Sequence, residues 1–183
     1  MKKFLVILMA ILCIPISGFA ISLSTLQNNP DRYFKFSEDS QTAIYLDTQS
    51  VDSLLYNPSY YTLGSTAYIV SYSNNEIAEF SQIFNYNYAY SRESTLKRII
   101  TNIKQKVEFL DDNIINSKLD STLKENSGIE CSSVFLSAWT LNGKLFQSIN
   151  TDQAFPKSTK VNYLTRGYIQ AEIMFHLYYN QFF

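Results

Sequence analysis

The stretch YYTLGSTAYIVSYSNNEIAEFSQIFNYNYAY, residues 60–90, decides the fold. It holds two aromatic-rich runs joined at Asn74-Asn75, and asparagine tolerates the positive φ that both positions of a two-residue type I′ hairpin require. Folding the chain there sets Ser73 opposite Glu76, and strand alternation sorts the side chains onto two faces. One face carries the pairs Ile69/Phe80, Ala67/Gln82, Ser65/Phe84, Leu63/Tyr86 and Tyr61/Tyr88. The other carries Tyr72/Ile77, Val70/Glu79, Tyr68/Ser81, Thr66/Ile83, Gly64/Asn85 and Thr62/Asn87. The first is the more apolar, and a slip of one residue would turn it to solvent, so the pattern specifies its register.

Before this hairpin, residues 21–32 are polar, end in Asn29-Pro30, and read as a loose lead. Arg32–Phe36 and Thr42–Asp47 form a shorter hairpin around the loop 37–41, with Ile44 and Leu46 on one face and Tyr45 on the other. Asp47-Thr48-Gln49-Ser50 reads as a turn or short helical start, and Asn57-Pro58 breaks the chain.

After Tyr90 the period changes. Leu96, Ile99, Ile100, Ile103, Val107 and Leu110 recur at three- and four-residue steps, the pattern of an amphipathic helix that Ser91 can cap. A second helix runs through Ile115, Leu119 and Leu123 to a stop at Asn126-Ser127-Gly128. Ile129–Leu141 and Lys144–Thr151 then flank Asn142-Gly143, the preferred type I′ pair, giving Trp139/Phe146 and Phe135/Asn150 on one face and Thr140/Leu145, Ala138/Gln147 and Leu136/Ile149 on the other. A last helix is expected from about Ser158 or Thr159, through Val161, Leu164, Tyr168, Ala171, Phe175, Tyr178 and Phe182. Ile169, Ile173, Met174 and Leu177 widen its stripe, which predicts deep burial against a sheet or in a dimer interface.

The first twenty residues, MKKFLVILMAILCIPISGFA, have the pattern of a secretory signal peptide. Lys2 and Lys3 give the charged start, residues 4–16 the apolar core, and Gly18 and Ala20 the small residues before a cleavage between Ala20 and Ile21. An uncleaved anchor is the other reading, but the apolar core is short and Pro15 interrupts it. Leu12 directly before Cys13 does not fit a lipidation box. Cleavage leaves 163 residues as one expected domain, residues 21–183. It also leaves 13 basic residues against 16 acidic, a net charge of −3 that is too mild to imply nucleic acid.

The 14 tyrosines and 13 phenylalanines suit half-buried strands. After cleavage Cys131 is the sole cysteine, so an intramolecular disulfide is excluded and burial is its expected fate. His176 is the sole histidine, and a Cys131/His176 nucleophile pair is weighed against two core-forming segments, with packing the favoured reading. One cysteine and one histidine make a poor metal site. The sequence has no Gly-x-Ser-x-Gly elbow and no phosphate-cradling glycine loop. Arg92, Lys97, Arg98, Lys104 and Lys106 form a basic helix face, read first as a solvated surface and second as a contact for anionic lipid.

Tyr45-Leu46-Asp47-Thr48-Gln49-Ser50-Val51 and Trp139-Thr140-Leu141-Asn142-Gly143-Lys144, with a long antiparallel pair and a final helix, resemble the surface-adhesin protein E family. The resemblance spans residues 33–180 and implies an antiparallel sheet with a C-terminal helix on its concave face, often dimeric, in a surface protein that binds host matrix components. The chain departs from that pattern in its leader, its single mature cysteine and a two-helix insertion at 91–128. The expectation is therefore an α+β fold, an antiparallel sheet of two to three hairpins with a two-helix insertion and a C-terminal helix packed on it. The expected function is an exported, non-enzymatic binding protein of the bacterial envelope or surface, without cofactor or metal, with a homodimer as one form. A periplasmic carrier of a small apolar ligand, held between sheet and C-terminal helix, is the alternative.

Overall fold

A computed structural model describes residues 20–104, 111–149 and 154–183, with the side chains of 103 and 104 outside the description. The chain is an antiparallel sheet with helices, as the alternation predicts. Its strands are β1 (Tyr33–Glu38), β2 (Thr42–Asn57), β3 (Tyr60–Ser71), β4 (Glu76–Asn87), β5 (Ile129–Thr140), β6 (Leu145–Ser148) and β7 (Thr159–Lys160). The helices are α1 (Leu23–Asn28), α2 (Arg92–Lys104), α3 (Asp112–Glu125) and α4 (Arg166–Tyr179). The seven strands run β1-β2-β3-β4-β5-β6, with β7 pairing beside β6 on the same edge of β5, so the sheet is larger than two to three hairpins.

The central hairpin keeps its predicted faces but not its predicted register. Ser71 pairs with Glu76 and Leu63 with Phe84, two places from the expected partners. The turn spans Tyr72–Asn75, closed by the Asn75 amide donating to the Tyr72 carbonyl at 3.3 Å, and only Asn75 takes positive φ, 53°. A shift of two preserves the pleat, so each side chain stays on its face. Asn142-Gly143 behaves alike. Gly143 alone is left-handed, at φ 86°, its amide donating to the Thr140 carbonyl, and Trp139 slips to pair with Leu145 instead of Phe146. That is the wider turn with a glycine bulge rather than a two-residue type I′ loop. The expected Phe135/Asn150 pair lies outside the described residues.

Both faces of the sheet are covered, at different places. Leu46, Leu63, Phe84, Tyr86 and Ile129 meet Tyr168, Ala171, Met174 and Phe175 of α4. Tyr45, Tyr68, Val70, Ile77 and Trp139 meet Ile21 and Leu26 on the opposite face. The N-terminal lead is therefore not loose. Ser22 caps α1 by accepting the Thr25 amide at 3.1 Å, and Leu26 is fully buried. Six residues are too short for a helical period to show, and docking on the sheet supplies the stability that propensity does not.

Three further expectations change. The polar run Asp47–Ser50 is a bulge inside β2, not a turn. The Ser50 hydroxyl donates to the Asp47 carbonyl and accepts the Thr66 amide, standing in for ladder bonds. α4 begins at Arg166 behind its cap Thr165, because residues 159–161 pair instead with β5, the Val161 amide donating to the Ile129 carbonyl at 2.9 Å. Finally, α4 is buried on one side only, and Ile169, Leu177 and Tyr178, with Phe182 just beyond it, are exposed. The two inserted helices form as predicted. Ser91 accepts the Ser94 amide, and Ile115, Leu119 and Leu123 are buried. Val107 and Leu110 lie outside the described residues.

Candidate functional site

The register places one row of side chains across five strands on the face away from α4. Leu55 pairs with Thr62, Thr62 with Asn85, Asn85 with Glu130, and Glu130 with Lys160. Directly opposed residues of an antiparallel sheet share a face, so these five line up side by side. A parallel row, Asn57–Tyr60–Asn87, runs beside it. Together they floor an open groove of about 540 Å³, walled by Tyr90 and Asn126, within the usual size range of small-molecule sites.

Gly128 sets how tightly this wall closes. Its φ is 72°, and a Cβ there would lie 2.6 Å from Tyr90 Cβ and 2.9 Å from the Asn87 carbonyl. Only glycine accepts both the left-handed backbone and that approach. The Arg98 guanidinium sits 6.0 Å from the centre of the Tyr90 ring, supporting it from α2. Tyr60, by contrast, is 57 % exposed, a large ring held at the groove with little packed over it.

The asparagines are oriented by their own hydrogen bonds. Asn85 Oδ1 accepts from the Thr62 hydroxyl (2.9 Å), Asn87 Oδ1 from the Ala89 amide (3.2 Å) and Asn126 Oδ1 from the Gly128 amide (3.0 Å). With each oxygen engaged, the Nδ2 group is fixed as a donor, and no bond among the described residues uses it. Glu130 accepts from the Ser158 hydroxyl at 2.8 Å, leaving its second oxygen for a ligand. Lys160 adds an ammonium to the same groove. Glu130 and Lys160 offset each other, so the groove offers donors, an acceptor and a ring without net charge.

No family model, no curated protein and no solved structure matches the chain.

The residues singled out from sequence lie elsewhere. Ala20 is exposed, whereas Ile21 is 4 % exposed and packed with Leu26, Tyr33 and Trp139. Cys131 borders the core beneath α4, its Sγ near the Ser132 carbonyl, and burial pushes the thiol up to about 11. His176 instead stacks on Phe182, ring centres 4.5 Å apart, beside an apolar hollow lined by Phe34, Ile173 and Leu177. No hydrogen bond joins the two, and a thiol held protonated is a poor nucleophile. Among the described residues no three His, Cys, Asp or Glu side chains are grouped to hold a metal. No described helix is long and apolar enough to cross a membrane. The basic face of α2 is partly spent, with Lys97 paired to Glu93 and Arg98 on Tyr90. Lys106 and the Cys13 region lie outside the described residues.

A second cleft, of about 460 Å³, borders Ala20, Ile21, Arg32, Tyr68, Glu79 and Trp139. Arg32 is held there by Asp47 at 2.9 Å, and Glu79 accepts from the Tyr68 hydroxyl at 3.2 Å. Desolvation raises the Glu79 pKa and drives the Tyr68 phenol far above its ordinary range. These polar groups satisfy one another, which leaves the Asn–Tyr groove as the face best furnished to meet a ligand.

Proposed function

We propose that the chain is an exported, non-enzymatic binding protein of the bacterial envelope or surface, and that the groove over β3, β4 and β5 is its recognition surface. The cross-strand row Leu55–Thr62–Asn85–Glu130–Lys160 carries this reading. It sets hydrogen-bonding groups side by side on an open face, and the Thr62 hydroxyl donates to the Asn85 amide oxygen rather than to a base that would activate it. A carrier with its ligand between sheet and α4 is less favoured, because Leu63, Phe84, Tyr86 and Phe175 occupy that space. Export rests on residues 1–20. Ile21 is buried once α1 docks, so a peptidase reaches the Ala20–Ile21 bond while this segment is still extended. An adhesin-like role at the surface agrees with the resemblance to the protein E family.

The test is the native mass of the protein recovered from the envelope or medium of its own cells, beside a Thr62→Trp variant whose indole fills the row. The expected result is a chain starting at Ile21 that carries an adduct or partner, lost in Thr62→Trp. The same spectrum counts chains and so tests the homodimer. Hydrolase activity of the purified chain that vanishes in Cys131→Ala or His176→Ala would overturn the proposal.

A further inference from the structure

We infer that the groove binds a neutral saccharide, with Tyr60 as the stacking platform and Asn85, Asn87 and Asn126 as hydrogen-bond donors to its hydroxyl and ring oxygens. This rests on the groove being the binding surface and names the chemistry it selects. A sugar ring presents C–H faces above and below and hydroxyls around its edge, so it needs a flat apolar surface beside a fan of donors and acceptors. Tyrosine supplies the first with little conformational cost. Carboxamides locked by bonds to Thr62, Ala89 and Gly128 supply the second already oriented. The free Glu130 oxygen accepts a hydrogen bond from a sugar hydroxyl, and Lys160 gives one more donor.

Other ligand classes fit less well. A phosphate or carboxylate would meet Lys160 but also Glu130, its cross-strand partner. A fatty chain would desolvate three asparagines and both charges without returning a hydrogen bond, which is unfavourable for every one of those groups. An extended peptide gains affinity by adding to a strand edge, and this groove lies on the flat of the sheet, where β3, β4 and β5 have spent their backbone groups on one another. The open shape also suits an internal stretch of an oligosaccharide, its ends running out on either side, better than a ligand enclosed whole.

The experiment uses the chain from Ile21 on an array of immobilised neutral and sialylated oligosaccharides, with affinities of the hits measured in solution. Neutral oligosaccharides are expected to bind, with a loss on the order of tenfold for Tyr60→Ala and a smaller loss for Tyr60→Phe, which keeps the ring. Thr62→Trp should abolish binding. Binding confined to sialylated glycans and lost in Lys160→Met would overturn the neutral class while keeping the groove. An array without hits, alongside a native adduct that Thr62→Trp removes, would overturn the saccharide and leave the binding surface standing. Glycan binding untouched by both Tyr60→Ala and Thr62→Trp would overturn the location, and the groove proposal with it. Circular dichroism on each variant separates lost binding from lost fold.

Discussion

Glu79 is a carboxylate that the fold keeps more than half away from water, facing Tyr68, Tyr33 and Ser137, while the nearest guanidinium, Arg32, is engaged by Asp47. Desolvation is the largest influence on it and raises its pKa, and the Tyr68 hydrogen bond opposes this. The folded chain therefore holds the Glu79 proton to a higher pH than the unfolded chain does. Stability from this group is greatest below the unfolded carboxyl range and falls as pH rises through the folded pKa. Glu79→Gln keeps an acceptor for Tyr68 and removes the ionisation. Its expected effect is a higher Tm near neutrality, a similar or slightly lower one near pH 4, and a flatter pH profile between them. Thermal unfolding across that range checks this, on a chain that retains residues ahead of Ile21 so that no free α-ammonium enters the cleft. A Tm lowered equally at every pH would show a packing role instead.

At the scale of elements, the sequence revealed faces better than partners. The alternation through residues 60–90 settles which side chains share a face, since a strand has only two. It does not settle register, because Asn74-Asn75 supports both a two-residue loop and the four-residue turn that forms, and the longer turn moves Asn85 from Gly64 to Thr62. The groove was hidden for that reason: a row across β2, β3, β4, β5 and β7 exists only once four registers are known. The same limit hid β7 and the residue after it, Val161, which fits a helical stripe by spacing but reaches the core beside β5. Inserted helices were legible because ten or more residues show a period. Gly128 was legible as a helix stop, and its second task, admitting Tyr90 to the wall, was not. Gly128→Ala is expected to cost about 1–3 kcal/mol, from left-handed strain and the 2.6 Å approach to Tyr90 Cβ, and to weaken groove binding. Gly64→Ala on the same face, where only the flexible Leu54 lies within 3.3 Å, is expected to be near neutral. Urea unfolding of the two variants checks the contrast, and equal costs would refute the assignment.

On the scale of the whole molecule, the sheet and the inserted helices keep separate cores. Ile99, Ile115, Leu119 and Leu123 bury one another between α2 and α3, with Tyr163 as the side chain shared with the core beneath α4. The Tyr163 hydroxyl donates to Asp120 at 3.3 Å, and the Arg92 amide donates to the Phe183 carbonyl at 2.7 Å. At the base of the insertion the sheet has already closed, since the Asn87 amide donates to the Gly128 carbonyl at 2.8 Å. The ends that a replacement loop must join are thus held together by the ladder, and a shorter loop closes at lower entropic cost. Replacing residues 93–124 with a short glycine–serine linker is expected to leave a chain that unfolds cooperatively, with a strand-type circular dichroism spectrum and reduced helical signal. In the intact chain, hydrogen exchange should be slowest in β3 and β4, which are paired on both edges along nearly their whole length, and faster through α2 and α3. Loss of cooperative unfolding in the shortened chain would show that Tyr163 binds the two cores into one unit. Retained folding together with retained saccharide binding would show that recognition does not need α2 and α3, with Arg98 a support for Tyr90 that the site can spare.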